Sequence, residues 1–285
     1  MNLLGPKQIR EIAAELDVRP TKMWGQNFVH DPGTVRKIVR SAGVVAGQRV
    51  VEVGPGLGSL TLGLLEQGCS VVAVEIDPRL AARLGQTVSE FAPSKTDDLT
   101  VINQDALKVF QLPDPQPTAM VANLPYNISV PLIISFLERF ASIETVLVMV
   151  QAEVAERLVA KPGSKIYGVP SVKAAWFTEG QKVADIGTQV FWPVPRVASA
   201  LVQLKRHQGK EASVKREAVF QIVDLAFAQR RKTLRAAFGK QLGPGIEIDQ
   251  VFMQAGIDPM VRGEQLQIDD FIRIAEAVEA QKKDK

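Results

Sequence analysis

The chain predicts a doubly wound α/β domain followed by a small helical domain, on three observations. Short apolar strands alternate with helical stretches over the first two thirds, as in a parallel sheet covered by helices on both faces. A glycine turn, Gly54-Pro55-Gly56-Leu57-Gly58, sits at the first strand-to-helix transition. After Leu204 no convincing strand follows and helical periodicity takes over. A length of 285 residues suits two domains of ordinary size, and right-handed crossovers between parallel strands give the doubly wound arrangement.

The elements follow in order. Arg49 to Val53 is a short apolar strand ending at the glycines, and Leu60 to Gln67 has helical spacing. Ser70 to Val74 is a second strand, and Pro78 to Glu90 a second helix with proline in its first turn. Leu99 to Ile102 and Ala119 to Ala122 are further strands. Pro131 to Phe140 is a helix, Thr145 to Val150 a buried strand, and Ala152 to Val159 another helix. Val214 to Phe227, Lys232 to Phe238, Asp249 to Ala255 and Asp269 to Ala280 all carry helical spacing. The polar stretch Arg206 to Ser213, with Gly209 inside it, reads as a linker. The expected domains are therefore residues 1–207 and 208–285, with residues 281–285 frayed.

Composition excludes several classes. A single cysteine, Cys69, rules out an internal disulfide or a cysteine metal cluster and is expected to be a half-buried packing residue. Two histidines, His30 and His207, are too few for a histidine-rich metal site, so no metal is expected. No apolar run approaches the ~18–20 residues of a membrane span. The first residues carry Lys7, Arg10, Glu11, Glu15 and Asp17 and lack the apolar block of a secretory signal. The expectation is a soluble, cytoplasmic monomer without membrane contact.

The net charge of +3 hides an asymmetry. Lys205 to Lys240 holds ten Lys/Arg against three acids, a net +7, which leaves −4 for the remainder. The run Gln229-Arg230-Arg231-Lys232, with Arg235 beyond it, points to a phosphate-binding patch. Arg36, Lys37 and Arg40 form a second basic group, in which 36 and 40 share a helix face.

The chemistry-bearing residues lie at strand ends. Glycines after a strand let the backbone approach a ligand closely. The dinucleotide fingerprint is Gly-x-Gly-x-x-Gly, and Ser59 occupies its last glycine position. No Gly-Lys-Ser/Thr follows, which excludes a P-loop. Glu75 ends the second strand 21 residues after Gly54, the offset at which an acid reaches ribose hydroxyls. NAD and S-adenosylmethionine both carry adenosine, so both fit this far. Asp105 follows the third strand, where it can accept from an adenine amine or cap a helix.

Asn123-Leu124-Pro125-Tyr126 follows the strand Ala119 to Ala122. The exocyclic amine of adenine is a poor nucleophile, because its lone pair is delocalised into the ring. An amide oxygen and a backbone carbonyl, each accepting one N–H, favour a pyramidal nitrogen with that pair exposed. Pro125 pre-sets the loop. Tyr126 offers a ring for stacking an extruded base, worth ~1–3 kcal/mol. The nitrogen sheds its proton after attacking a cationic sulfonium, so no strong general base is needed.

With these motifs in this order the chain resembles the KsgA (RsmA) family, the small-subunit ribosomal RNA adenine N6,N6-dimethyltransferases. The likeness begins at Lys22-Met23-Trp24-Gly25-Gln26-Asn27-Phe28-Val29 and runs through the glycine turn, Glu75-Ile76-Asp77, Asp105 and Asn123 to Ser129. It continues in Met149 to Leu158, Pro162 to Gly168, Phe191-Trp192-Pro193-Val194-Pro195 and Phe227 to Leu234. The resemblance implies a Rossmann-like methyltransferase domain using S-adenosylmethionine and releasing S-adenosylhomocysteine. It implies cofactor contacts at Asn27, Val29, Gly54, Gly56, Glu75, Asp105, Ala106 and Asn123, with residues 123–126 as the catalytic loop. Phe191 is expected to close over the other face of the target base. Arg230, Arg231, Lys232 and Arg235, with Arg36, Lys37 and Arg40, are expected to grip RNA phosphates. The implied substrate is 16S rRNA in a precursor of the 30S subunit, dimethylated at two adjacent adenosines of the 3′-terminal hairpin. Val29, Gln104 and Ala198 depart from the family's usual leucine, glycine and polar residue, and none removes a catalytic group. An Erm-like enzyme of 23S rRNA and a non-catalytic assembly or transcription factor are the competing readings. A dehydrogenase gives Asn-Leu-Pro-Tyr no role in hydride transfer.

Overall fold

The computed structural model describes residues 2–17, 27–125, 128–210, 212–239 and 241–283. In chain order the elements are α1 (Pro6–Glu15), β1 (Phe28–Val29), α2 (Pro32–Ala42), β2 (Arg49–Val53), α3 (Ser59–Glu66), β3 (Ser70–Glu75) and α4 (Pro78–Phe91). Then come β4 (Leu99–Asn103), β5 (Ala119–Asn123), α5 (Ser129–Arg139), β6 (Thr145–Gln151), α6 (Ala152–Leu158), α7 (Val169–Phe177) and β7 (Thr178–Ile186). The last are β8 (Phe191–Trp192), β9 (Ser199–Arg206), α8 (Arg216–Ala228), α9 (Leu234–Phe238), α10 (Ile248–Ala255) and α11 (Ile268–Lys283).

The main sheet has the order β4-β3-β2-β5-β6-β9-β7. β4, β3, β2, β5 and β6 are mutually parallel. Val50, Val51, Val71, Val72, Met120 and Val121 are at most 1% exposed, as strands covered on both faces require. The chain runs outward from β2 through β3 to β4 and then returns to β5 on the other side. Crossovers leave β2 and β5 in opposite directions, and that opens a crevice at their carboxyl ends.

The helix starts are locally specified. Asp31 accepts from the Thr34 amide at 2.6 Å and Asp77 from the Arg79 amide at 2.9 Å, each followed by proline at the first helical position. α2 ends on Gly43 in the left-handed region, φ +68°.

Several expectations need correction. The sheet is not purely parallel, because β9 pairs antiparallel with β6 from Thr145↔Lys205 to Gln151↔Ser199. β7 and β9 were absent from the sequence reading. β7 is largely polar and lies at the sheet edge, so it lacks the apolar run that marks the central strands. A two-residue ladder, β1 with β8, is too short to leave a period. Cys69 is fully buried rather than half-buried, its thiol 3.5 Å from the Val45 carbonyl. α11 runs to Lys283, past the predicted end.

The domain boundary also differs. The chain forms two compact units, residues 1–155 with 180–206, and residues 156–179 with 207–285. Residues 156–179, expected in the first domain, belong to the second. Tyr167 is the physical reason: its ring is buried and its hydroxyl donates to the Leu266 carbonyl at 2.8 Å. Val172 joins the same core with Val219, Val223, Phe238, Phe252 and Phe271. Trp176 packs edge-on against Phe220, and Lys173 pairs with Asp224 at 2.8 Å. His207 adds a ring nitrogen 3.1 Å from the Ala175 carbonyl.

Candidate active site

A cavity of about 500 Å³ lies at the carboxyl ends of β2, β3 and β5. All eight residues expected to contact cofactor line it: Asn27, Val29, Gly54, Gly56, Glu75, Asp105, Ala106 and Asn123. Leu124 and Pro125 of the expected catalytic loop line it too. Tyr126 lies outside the described residues, as does Trp24.

The turn after β2 is made by glycine where no other residue fits. Gly56 has φ +59°, and a Cβ there would meet Phe28 Cε1 at 2.8 Å. With no side chain in the way, the Gly56 amide donates to Glu75 Oε2 at 3.2 Å, and the Asp77 amide donates to Oε1 at 2.9 Å. The Glu75 carboxylate is thereby held at both oxygens, 5% exposed. Burial pushes its pKa up, and the two amides oppose that shift. Ser59 donates from Oγ to the Val29 carbonyl at 2.6 Å. This explains serine at the fingerprint's last glycine position, since the hydroxyl ties the start of α3 to β1.

Asn123 closes β5. Its Nδ2 donates to the Asn27 carbonyl at 3.0 Å. That bond uses one of the two N–H groups of the amide and leaves its oxygen able to accept; Asn123 lines the cavity. The Leu124 amide donates to the Met149 carbonyl at 3.1 Å, which carries the β5–β6 ladder one residue into the loop. Asp105 lines the cavity and also accepts from the Leu107 amide at 3.0 Å, so it caps the short turn behind it.

One wall residue was missed by the sequence reading. Glu52, in Val51-Glu52-Val53, is 1% exposed and lines the cavity. Thr61 Oγ1 donates to its Oε2 at 2.6 Å. Burial pushes the Glu52 carboxyl up to about 8, with a further upward push from the nearby Glu75. The available signal was an acid inside an otherwise apolar parallel strand.

Phe191 is not on the cavity wall. It is 1% exposed and belongs to the core, where β8 pairs Phe191 with Val29 and Trp192 with Phe28. Its ring is packed among the buried residues of that core.

The basic residues divide. Arg36 makes two hydrogen bonds to Glu66 at 2.8 and 2.9 Å. Arg235 pairs with Asp249 at 2.8 Å, and Arg230 with Glu264 at 3.1 Å and with the Lys165 carbonyl. Lys37, Arg40, Arg231 and Lys232 are exposed and make no ion pair among the described residues. Among the described residues no group of His, Cys, Asp and Glu could hold a metal, and no helix is long and apolar enough to cross a membrane.

An amide-held acid, a glycine turn and an acceptor amide share one cavity of a size that admits an adenosine-bearing cofactor. The family model described as ribosomal RNA adenine dimethylase matches residues 19–280. The chain is 56% identical to the ribosomal RNA small subunit methyltransferase A of Thermobifida fusca over 274 residues, 96% of each chain. It is 54% identical to the protein of the same name from Corynebacterium glutamicum, over 96% of this chain and 94% of that one. A dimethyladenosine transferase from Plasmodium falciparum superposes with TM-score 0.73 at 25% identity, covering 87% of this chain and 95% of that one. The 23S rRNA methyltransferase ErmE superposes with TM-score 0.64 at 26% identity, covering 89% and 100%.

Proposed function

The chain belongs to the ribosomal RNA adenine dimethylase family, and from that premise we propose how its cavity serves S-adenosylmethionine and a small-subunit adenosine. The protein is an rRNA adenine dimethyltransferase of the small subunit. We place its action in the cytoplasm, as a monomer, on 16S rRNA of a 30S precursor, at two adjacent adenosines of the 3′-terminal hairpin.

When bound, S-adenosylmethionine supplies a methyl group activated on a sulfonium. Glu75 holds the ribose: each of its oxygens already accepts one amide N–H and retains a lone pair for a hydroxyl. Hydroxyls donating to it favour its ionised form against the burial penalty. Asp105 and Ala106 flank the adenine. Gly54 and Gly56 admit the cofactor close to the backbone.

Asn123 is the observation that carries the reading. With Nδ2 committed to Asn27, its oxygen accepts one N–H of the target N6. A loop carbonyl accepts the other, and Pro125 restricts the backbone that bears it. Two acceptors fixed before the substrate arrives hold the nitrogen lone pair toward the methyl at no reorganisation cost. Tyr126 stacks on the flipped base. Arg231, Lys232, Lys37 and Arg40, which keep their charge unpaired among the described residues, bind phosphates.

The likeness to ErmE supports the shared chemistry, and the 52–56% identity to small-subunit enzymes favours the small subunit as substrate. The test is methyl transfer from labelled S-adenosylmethionine to unmethylated small subunits, with large subunits and naked RNA beside them. Label on adenines of the terminal hairpin, absent with Asn123→Ala, is expected. Label on large subunits instead would move the assignment to the Erm-like reaction. Binding without label would favour an assembly factor.

A further inference from the structure

The turn that carries Asp105 is fastened from two sides. On the strand side, Asn103 Nδ2 donates to the Glu75 carbonyl at 2.8 Å and the Gln104 amide donates to the same carbonyl at 3.1 Å, which ties the end of β4 to the end of β3. At its far end the turn presents the carbonyls of Leu107, Lys108 and Val109, and side chains serve each of them. Gln104 Nε2 donates to the Lys108 carbonyl at 2.8 Å. Arg139 Nη1 donates to the Leu107 carbonyl at 2.7 Å and to the Val109 carbonyl at 3.0 Å. The Arg139 guanidinium also lies 4.2 Å from the centroid of the Phe110 ring. Phe110 is 70% exposed, so the ring gains from the cation rather than from burial.

Arg139 stands in the last turn of α5, where a cation ordinarily serves the carbonyls of its own helix. Here Arg206 does that, its Nη2 donating to the Leu137 carbonyl at 2.7 Å and to the Phe140 carbonyl at 3.2 Å. Arg139 makes no ion pair among the described residues, and its donors go to residues 32 and 30 positions earlier in the chain. α5 follows the Asn123 loop, and Ile128 and Leu132 near its start line the same cavity as Gln104, Asp105 and Leu107. One side chain therefore ties together two parts of the cavity wall.

We propose that Arg139 is a positioning residue for the cofactor: it fixes the turn 105–109 against α5 and so sets Asp105 where its carboxylate selects an adenine amine. Asp105 Oδ1 accepts from the Leu107 amide at 3.0 Å, which leaves Oδ2 for a ligand. The direction of that carboxylate depends on the turn, and the turn is held at Leu107 and Val109 by Arg139. The proposal rests on the reading above that puts adenine beside Asp105 and Ala106.

The test is calorimetric titration with S-adenosylhomocysteine and with S-inosylhomocysteine. The second ligand keeps the ribose and the amino acid but carries a carbonyl in place of the amine, so it offers the carboxylate nothing to accept there. The wild type should prefer the adenine ligand by about 10- to 100-fold, the scale of one hydrogen bond to a charged group. Arg139→Met keeps the aliphatic length and removes both donations, and its preference should fall by about 10-fold, with the loss confined to the adenine ligand. Arg139→Lys retains the charge and can serve one carbonyl, so its preference should lie between the two. Thermal unfolding without ligand reads whether each variant folds. A preference in Arg139→Met equal to the wild type's, or an equal weakening of both ligands, would overturn the positioning role, because general destabilisation does not discriminate between bases. Should the methionine variant fail to fold, a wild-type preference in Arg139→Lys would overturn it instead. A wild type without preference would remove adenine from Asp105 and sink the reading on which the role rests.

Discussion

Replacing Glu52 by glutamine should reshape the pH dependence of stability. The side chain is 1% exposed and accepts from the Thr61 hydroxyl at 2.6 Å, a bond the glutamine oxygen can keep. In the unfolded chain this carboxyl ionises around 4.5, and in the folded chain at about 8. Below pH 4.5 both states hold the proton, and the stability linked to Glu52 is fully present. As the pH rises toward 8 the unfolded chain sheds its proton first, so unfolding becomes more favourable. In that window the loss is about 1.4 kcal/mol per pH unit. Between pH 5.5 and 7.5 the wild type should therefore lose about 2.7 kcal/mol that Glu52→Gln retains. Urea unfolding at the two pH values measures this. With m of about 1–3 kcal/mol per molar, the midpoints should separate by about 1 M or more. Glu75 is also pushed up by burial, and its repulsion of the Glu52 carboxylate is part of the difference between the two proteins. Parallel stability profiles for the two proteins over this range would refute the reasoning, since Glu52 would then ionise at its ordinary value inside the fold.

The other predictions concern the cavity. Asn123→Ala should lower kcat by about 10²-fold or more, the scale for losing one pre-set hydrogen-bonding group; single-turnover methylation reads this, and a near-normal rate would remove Asn123 from the chemistry. Glu75→Gln should weaken S-adenosylmethionine binding by about 10- to 100-fold, from ~1.5–3 kcal/mol for a hydrogen bond to a charged group; calorimetric titration checks it. Gly56→Ala forces a side chain to φ +59° and against Phe28, and should cost about 1–3 kcal/mol of stability together with cofactor affinity; thermal unfolding and the same titration follow both.

The doubly wound core was legible because strands and helices declare themselves through neighbours a few residues apart. Val50 and Val51, Val71 and Val72, and the proline-led α4 carry their period in the chain itself. β7 did not, because an edge strand with polar outward residues resembles a loop. The cavity-lining residues were legible for a related reason: glycine turn, acid and Asn-Leu-Pro each sit at the end of a recognisable strand, and parallel strands bring their carboxyl ends to one edge.

By itself, then, the sequence determined the alternating elements from β2 to β6, the residue types at their strand ends and the family those motifs belong to. Only the tertiary structure decided which charges are spent and which are free. Arg36 is answered by Glu66, 30 residues away, and Arg230 by Glu264, 34 away, while Arg231 keeps its charge unpaired among the described residues. The tertiary structure likewise moved residues 156–179 into the second unit through Tyr167 and its bond to Leu266, 99 residues on. It also buried Glu52 beside Thr61 and Phe191 in the core. Periodicity is a local property of the chain, whereas ion pairing and desolvation depend on residues that only folding brings within a few ångströms.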